Sequence, residues 1–226
     1  MKYAIIFGIL GVYLIVLSYG LEGAGWLLLW PGFSLVSVAV AYAGLGPSVY
    51  GKRSNGRMAW WALLLLLPYL LLTWLVWHIQ RRMSKEPCCH EVAPHLWIGR
   101  RAFEAELPPD VSLIVDLTAE FPERSRVRAG RSYLCLPILD GLVPGEQELR
   151  QLVDKTATWS GSVYIHCALG HGRSALVAAA VLVKRELAAD AKQAEAMLCQ
   201  VRRAIYLKPV QRRLLERIVT MKPEPE

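Results

Sequence analysis

The chain has 226 residues, 54% of them apolar, and a net charge of +7, which is enough for one full domain and an appendage. Such a charge admits a nucleic-acid partner, but no recognised nucleic-acid module is present, and an anionic membrane surface is the more economical counterpart. The five cysteines, Cys88, Cys89, Cys135, Cys167 and Cys199, match neither a disulfide framework nor a zinc site and suit a reducing compartment.

The apolar residues are concentrated at the start. Residues 1–80 carry only Lys2, Glu22, Lys52, Arg53 and Arg57 as charged groups. Three apolar stretches predict transmembrane helices over residues 3–20, 26–45 and 58–79, the first two as a tight hairpin, so that residues 1–80 form a membrane segment. The other reading of the first stretch is a signal peptide. It fits less well, because Lys2 is the only charge before it and apolar sequence resumes after Glu22 without a convincing cleavage site. The third stretch is the strongest, with Trp60, Trp61, Trp74 and Trp77 gathered toward its ends as interfacial belts gather. Pro68 is tolerated in a membrane helix and predicts a kink.

Residues 81–90 read as a juxtamembrane linker. Within it Cys88-Cys89-His90 admits lipidation, part of a metal site, or an incidental pair, and no further ligands cluster nearby. From Glu91 the pattern becomes that of an α/β domain, extending over residues 91–221. Val92–Ile98 predicts an edge strand interrupted by Pro94 and closed by Gly99. Leu113–Leu117 predicts a buried parallel strand and Tyr133–Leu136 another. Pro137–Gly145 is rich in turn residues, and Glu146–Trp159 predicts an amphipathic helix with Leu149, Leu152 and Val153 on one face. Asp190 predicts the cap of a helix running to Arg203, and Pro209 the first turn of a last helix ending near Met221. Residues 222–226 predict a disordered tail.

The centre of this domain is Val163-Tyr164-Ile165-His166-Cys167-Ala168-Leu169-Gly170-His171-Gly172-Arg173-Ser174, followed by the apolar run Ala175–Val183. An apolar strand, a glycine-bearing loop and a helix N-terminus in that order make an anion cradle, where backbone N–H groups and the helix dipole converge. A cysteine at the bottom of such a cradle has a lowered pKa and is a thiolate at neutral pH. Arg173 returns to the same point with a planar fork that holds two phosphate oxygens.

His166-Cys167-x-x-Gly170-x-x-Arg173-Ser174 resembles the signature of cysteine-dependent protein tyrosine phosphatases, in particular their dual-specificity and lipid-phosphatase branch. The similarity covers residues 91–220. Glu91–Gly99 resembles the opening strand of those domains, and Ile114-Val115-Asp116-Leu117-Thr118-Ala119-Glu120 is similar to their second core strand. The resemblance implies a central, mostly parallel sheet flanked by helices, here preceded by the helical membrane segment. It also implies attack by Cys167 on a phosphate ester, a phosphocysteine intermediate, and hydrolysis by water. The backbone of Ala168, Leu169, Gly170, His171, Gly172 and Arg173, with the Arg173 guanidinium, would bind the phosphate and stabilise the transition state. Ser174 would assist departure of the thiolate, and His166 would support the loop. The leaving alkoxide needs an acid. Asp140 stands in the matching place, on a loop able to move, and Asp116 at the end of a core strand is its rival. No metal or other cofactor is implied.

The substrate expected is a phospholipid or a phosphoprotein, with no role for nucleic acid. Phosphoinositide phosphatases that resemble this loop often carry Lys where this chain has Ala168 and His171, which favours a simpler monoester such as a phosphatidylglycerophosphate-type headgroup. Arg124, Arg126, Arg128 and Arg131 read either as a basic set facing anionic lipid or as a solvated loop. A non-catalytic phosphate-binding scaffold is the third possibility. The expected location is an integral membrane protein. Positive charges on the two sides are nearly balanced, and the reduced Cys167 favours a cytoplasmic catalytic domain.

Overall fold

A computed structural model describes residues 1–220. The chain divides into two compact units, Met1–Ser84 together with Ala119–Pro122, and Lys85–Thr118 together with the chain from Glu123 onward.

In the first unit, α1 spans Lys2–Gly20, α2 Leu29–Val40 and α3 Trp60–Met83. Three helical stretches, Lys2–Gly20, Gly23–Tyr50 and Trp60–Met83, are long and apolar enough to cross a membrane. The middle one is longer than residues 26–45 and irregular at both ends. A 3-10 turn leads into α2, and a π turn broken at Gly44 (φ 152°) leads into a second 3-10 turn ending at Tyr50. Where α1 meets α2 the backbones nearly touch. A Cβ on Gly11 would lie 2.8 Å from the Gly32 carbonyl, so small residues set this contact.

The third helix runs four residues past the predicted end at 79, to Met83. Its Pro68 has no N–H to give the Leu64 carbonyl one turn back. The α2 side chains repair this gap: Trp30 Nε1 donates to the Leu64 carbonyl at 2.9 Å, and Ser34 Oγ accepts from the Tyr69 N–H at 3.4 Å.

The second unit is an α/β layer structure. Its strands are β1 Cys89–Ala93, β2 Leu96–Arg100, β3 Val111–Thr118, β4 Ser132–Ile138 and β5 Ser162–Cys167. They lie in the order β1-β2-β5-β3-β4, with β1 antiparallel to β2 and every other pairing parallel. The helices are α4 Ser125–Arg128, α5 Glu146–Ala157, α6 Arg173–Lys184, α7 Ala191–Val201 and α8 Pro209–Thr220.

Several boundaries differ from the sequence reading. The single edge strand over Val92–Ile98 is a hairpin, because the chain reverses at Pro94-His95, with His95 at φ 62°. The linker over residues 81–90 is shorter than read, since α3 holds residues 81–83 and Cys89 and His90 already belong to β1. Pro137 and Ile138 belong to β4, an edge strand where a missing N–H is tolerated. The helix capped by Asp190 stops at Val201 rather than Arg203, with the Asp190 carboxylate accepting from the Gln193 N–H at 2.7 Å. Helix α4 has no counterpart in the sequence reading. Met221 and the tail over 222–226 lie outside the described residues.

The core lies between the sheet and α6, which is buried from Arg173 to Leu182 and touches α5, α7 and α8. Strand alternation assigns the two faces. Val163, Ile165 and Cys167 join Leu113, Val115 and Leu117 against α6, whereas Tyr164 joins Ile114, Val111, Val127 and Ala102 on the other side.

Candidate active site

Strand β5 sits at the centre of the parallel sheet, flanked by β2 and β3, and its last residue is Cys167. Ligands of open α/β sheets bind outside the carboxyl ends of the strands, which is where the loop Ala168–Gly172 turns into α6. The loop folds tightly because Gly170 takes φ 79°, and a Cβ there would come within 2.6 Å of the Arg100 N–H. Only glycine permits this close approach to the end of β2.

Cys167 is almost fully buried, at 3% exposure. Its Sγ accepts the Gly170 N–H at 3.3 Å and lies 3.4 Å from Ser174 Oγ. Burial alone would raise the thiol pKa. The Arg173 charge, the Ser174 hydroxyl and the Ser174 and Gly170 backbone N–H groups outweigh burial and hold the pKa below the ordinary thiol value. Arg173 is the first residue of α6, and its Nη1 donates to the Ile138 carbonyl at 2.8 Å. Its Nη2 lies 3.3 Å from Asp140 Oδ1. Cys167 thus meets Ser174, and Arg173 meets Asp140, with the two pairs linked where Arg173 and Ser174 follow one another in α6, although Asp140 is 27 positions from Cys167 in the chain.

The two candidate acids differ sharply. The Asp140 side chain is 73% exposed, just beyond the end of β4 and before Gly141, whose φ is 78°. Asp116 is fully buried. One of its oxygens accepts from Thr118 N and Oγ1 at 2.8 and 2.7 Å, and the other accepts from the Tyr133 hydroxyl at 2.6 Å. Burial, reinforced by the Asp116 charge, pushes the Tyr133 phenol far above its usual range and keeps it a donor.

Strand alternation turns His166 away from Cys167. Its Nε2 lies 3.5 Å from Glu123 Oε2, both side chains being 1% exposed, and Glu123 Oε1 lies 3.6 Å from Arg101 Nη2. Ligand atoms of Asp116, Glu123 and His166 are within 4.8 Å of one another, a donor set of the kind that binds metal ions. The site does not fit a cation well, because a guanidinium already faces Glu123 and both Asp116 oxygens are engaged. The cluster is a buried polar network in which Glu123 faces both Arg101 and His166.

On the opposite flank, His171 Nε2 lies 2.7 Å from Glu86 Oε2. The same oxygen lies 2.5 Å from Nη2 of Arg202, whose side chain is 1% exposed. Arg202 also donates to the carbonyls of Leu169 and Pro87, each at 3.0 Å, and its Nη1 is 3.2 Å from His90 Nδ1. Sequence reasoning missed Glu86, Arg101, Glu123 and Arg202. Their partners are remote in the chain, and no local pattern in the sequence marks them.

The Cys88–His90 segment is structural on one side, since the Cys88 carbonyl accepts the Arg100 N–H at 2.9 Å. All five cysteines are free thiols. Of the four loop arginines, Arg124 stacks on Phe103, Arg128 stacks on Tyr133, and Arg131 binds the carbonyls of Val111, Val127 and Ala129. Arg126 is exposed.

The second unit has the fold of the dual-specificity phosphatases. PTPMT1 in complex with PI(5)P superposes with a TM-score of 0.52 at 22% identity, over 58% of this chain and 94% of its own. Tk-PTP in its active form gives 0.52 at 22% identity, over 59% and 97%. A mouse putative dual specificity phosphatase complexed with zinc tungstate gives 0.50 at 22% identity, over 60% and 88%. No family model and no curated protein matches the sequence.

Proposed function

We propose that the protein is a membrane-anchored phosphomonoester hydrolase working through a phosphocysteine intermediate. The observation that carries this reading is the Cys167 thiol, depressed in pKa at the bottom of a backbone cradle and joined to Ser174, Arg173 and Asp140. In the first step the Cys167 thiolate attacks phosphorus, an S–P bond forms, and the P–O ester bond breaks. Asp140 gives its proton to the leaving oxygen. The loop N–H groups and the Arg173 fork hold the equatorial oxygens where charge is greatest. In the second step water attacks phosphorus, its proton passes to the Asp140 carboxylate, and the S–P bond breaks with the Ser174 hydroxyl donating to the departing thiolate. The exposure of Asp140 and the complete engagement of Asp116 support Asp140 as the acid. His166 acts through Glu123 to hold the end of β5. No step calls for a metal or a cofactor.

The substrate is a lipid phosphate headgroup of the phosphatidylglycerophosphate type. Two features support this. Only residues 84–88 separate α3 from β1, so a membrane-spanning α3 keeps the catalytic unit near headgroups. PTPMT1, which shares the fold, has been captured with PI(5)P. The domain then faces the cytoplasm, where the thiol stays reduced. Phosphoprotein substrates are the second reading, favoured by the likeness to the mouse dual specificity phosphatase. Full-length protein in mixed micelles is given phosphatidylglycerophosphate or phosphotyrosine peptides, and phosphate release is measured. Faster release from the lipid supports the first reading, faster release from peptides replaces it with the second, and release from neither, nor from a generic aryl phosphate, removes the enzyme reading.

A further inference from the structure

One carboxylate oxygen, Glu86 Oε2, contacts both His171 Nε2 at 2.7 Å and Arg202 Nη2 at 2.5 Å. His171 belongs to the phosphate loop, and Arg202 fixes that loop through the Leu169 carbonyl at 3.0 Å. An imidazole and a guanidinium converging on a single oxygen make an anion receptor, and a chain carboxylate fills it. The receptor is built rather than incidental: the Arg202 side chain is 1% exposed and is also held by the Pro87 carbonyl and by His90.

We infer that Glu86 is a specificity-determining residue that occupies an anion subsite beside the phosphate cradle and bars substrates carrying a second anionic group next to the scissile phosphate. This rests on the phosphatase reading above and narrows its substrate class to phosphomonoesters with no second anionic group directly adjoining the scissile phosphate, a condition that a glycerol-spaced phosphodiester satisfies. The reason is electrostatic. A second phosphate reaching past the loop meets the Glu86 carboxylate beside His171, and like charges brought together at this partly buried rim disfavour binding. With Glu86 neutralised, the repulsion is removed and the positive charge of Arg202 beneath the side chain is no longer offset.

The test compares orthophosphate with pyrophosphate, a minimal pair differing by one adjoining anion, binding to full-length protein in micelles by calorimetry. All forms carry Cys167→Ser, so turnover plays no part. With Glu86 present, pyrophosphate is expected to bind no more tightly than orthophosphate. In Glu86→Gln, which keeps the shape and a hydrogen-bonding oxygen, the pyrophosphate preference is expected to rise about tenfold, the effect of one removed like-charge contact. Adding His171→Gln to Glu86→Gln is expected to cancel the gain. Matching melting temperatures establish that the Glu86→Gln form is folded, and Glu86→Asp serves as the charge-retaining comparison if it is not, with a preference unlike that of the Glu86 form overturning the inference. Equal tightening of both ligands, or an unchanged ratio in folded Glu86→Gln, also overturns it. A form with Cys167 restored that releases no phosphate from any monoester contradicts the enzyme reading instead, and the binding ratio is read independently of it.

Discussion

At the scale of single residues the chemistry depends on a competition at Cys167. Burial disfavours the thiolate, and Arg173, Ser174 and the loop N–H groups favour it more strongly. Alkylation by iodoacetamide requires the thiolate, so its rate at Cys167 should reach half-maximum below the ordinary thiol pKa of about 8.5. Above that midpoint the rate is flat, and below it the rate falls with pH. Ser174→Ala should move the midpoint up. The label must be read on the Cys167 peptide by mass spectrometry, because Cys88, hydrogen-bonded by Cys89, is itself lowered to about 7 despite burial. A midpoint at Cys167 that Ser174→Ala leaves in place would remove the hydroxyl from the account. The acid is tested in the same way. Asp140→Asn should lower kcat about 10²- to 10⁴-fold on an alkyl phosphate with little change in substrate binding, the usual range for a lost general acid. Asp116→Asn should instead lower the melting temperature, because it disturbs the Thr118 and Tyr133 hydrogen bonds of a buried carboxylate.

At the scale of elements, proline and tryptophan are coupled across α2 and α3. Pro68 frees the Leu64 carbonyl, and the Trp30 indole satisfies it at 2.9 Å. Trp30→Phe removes this bond, whose coupling energy should be about 0.6 kcal/mol and no more than about 1.7, the average and the maximum that double-mutant cycles give for interhelical hydrogen bonds in a membrane protein. In a Pro68→Ala background, where residue 68 can donate to Leu64 itself, the loss should largely vanish in a thermal-melt double-mutant cycle. The same elements show why some of the fold could be read and some could not. Asp190 capping α7, Pro209 opening α8 and the strand–loop–helix around Cys167 are local, so neighbours in sequence carry the signal. The β1–β2 hairpin was read as one strand because an apolar run around Pro94 looks alike whether the chain continues or reverses. The reversal depends on His95 taking a left-handed conformation that composition does not announce.

At the scale of the whole molecule, the candidate site is assembled from segments far apart in the chain. Cys167, Arg173 and Ser174 were legible because one loop contains them, and Asp140 through its resemblance to a known arrangement. Glu123 under His166 and Glu86 beside His171 were not, since each pairing closes over a long stretch of chain and no local pattern encodes it. The polar network lies on one face of the sheet and α6 on the other, so the cysteine is presented as the last residue of a buried central strand. The account stands on that cysteine forming a covalent intermediate. The most direct measurement is acid quenching of full-length protein mixed with a phosphate-labelled monoester, followed by peptide mapping. Acid-stable label on the Cys167 peptide, absent from Cys167→Ser together with turnover, is the predicted result. Turnover that persists in Cys167→Ser, or label found on another residue, would contradict it.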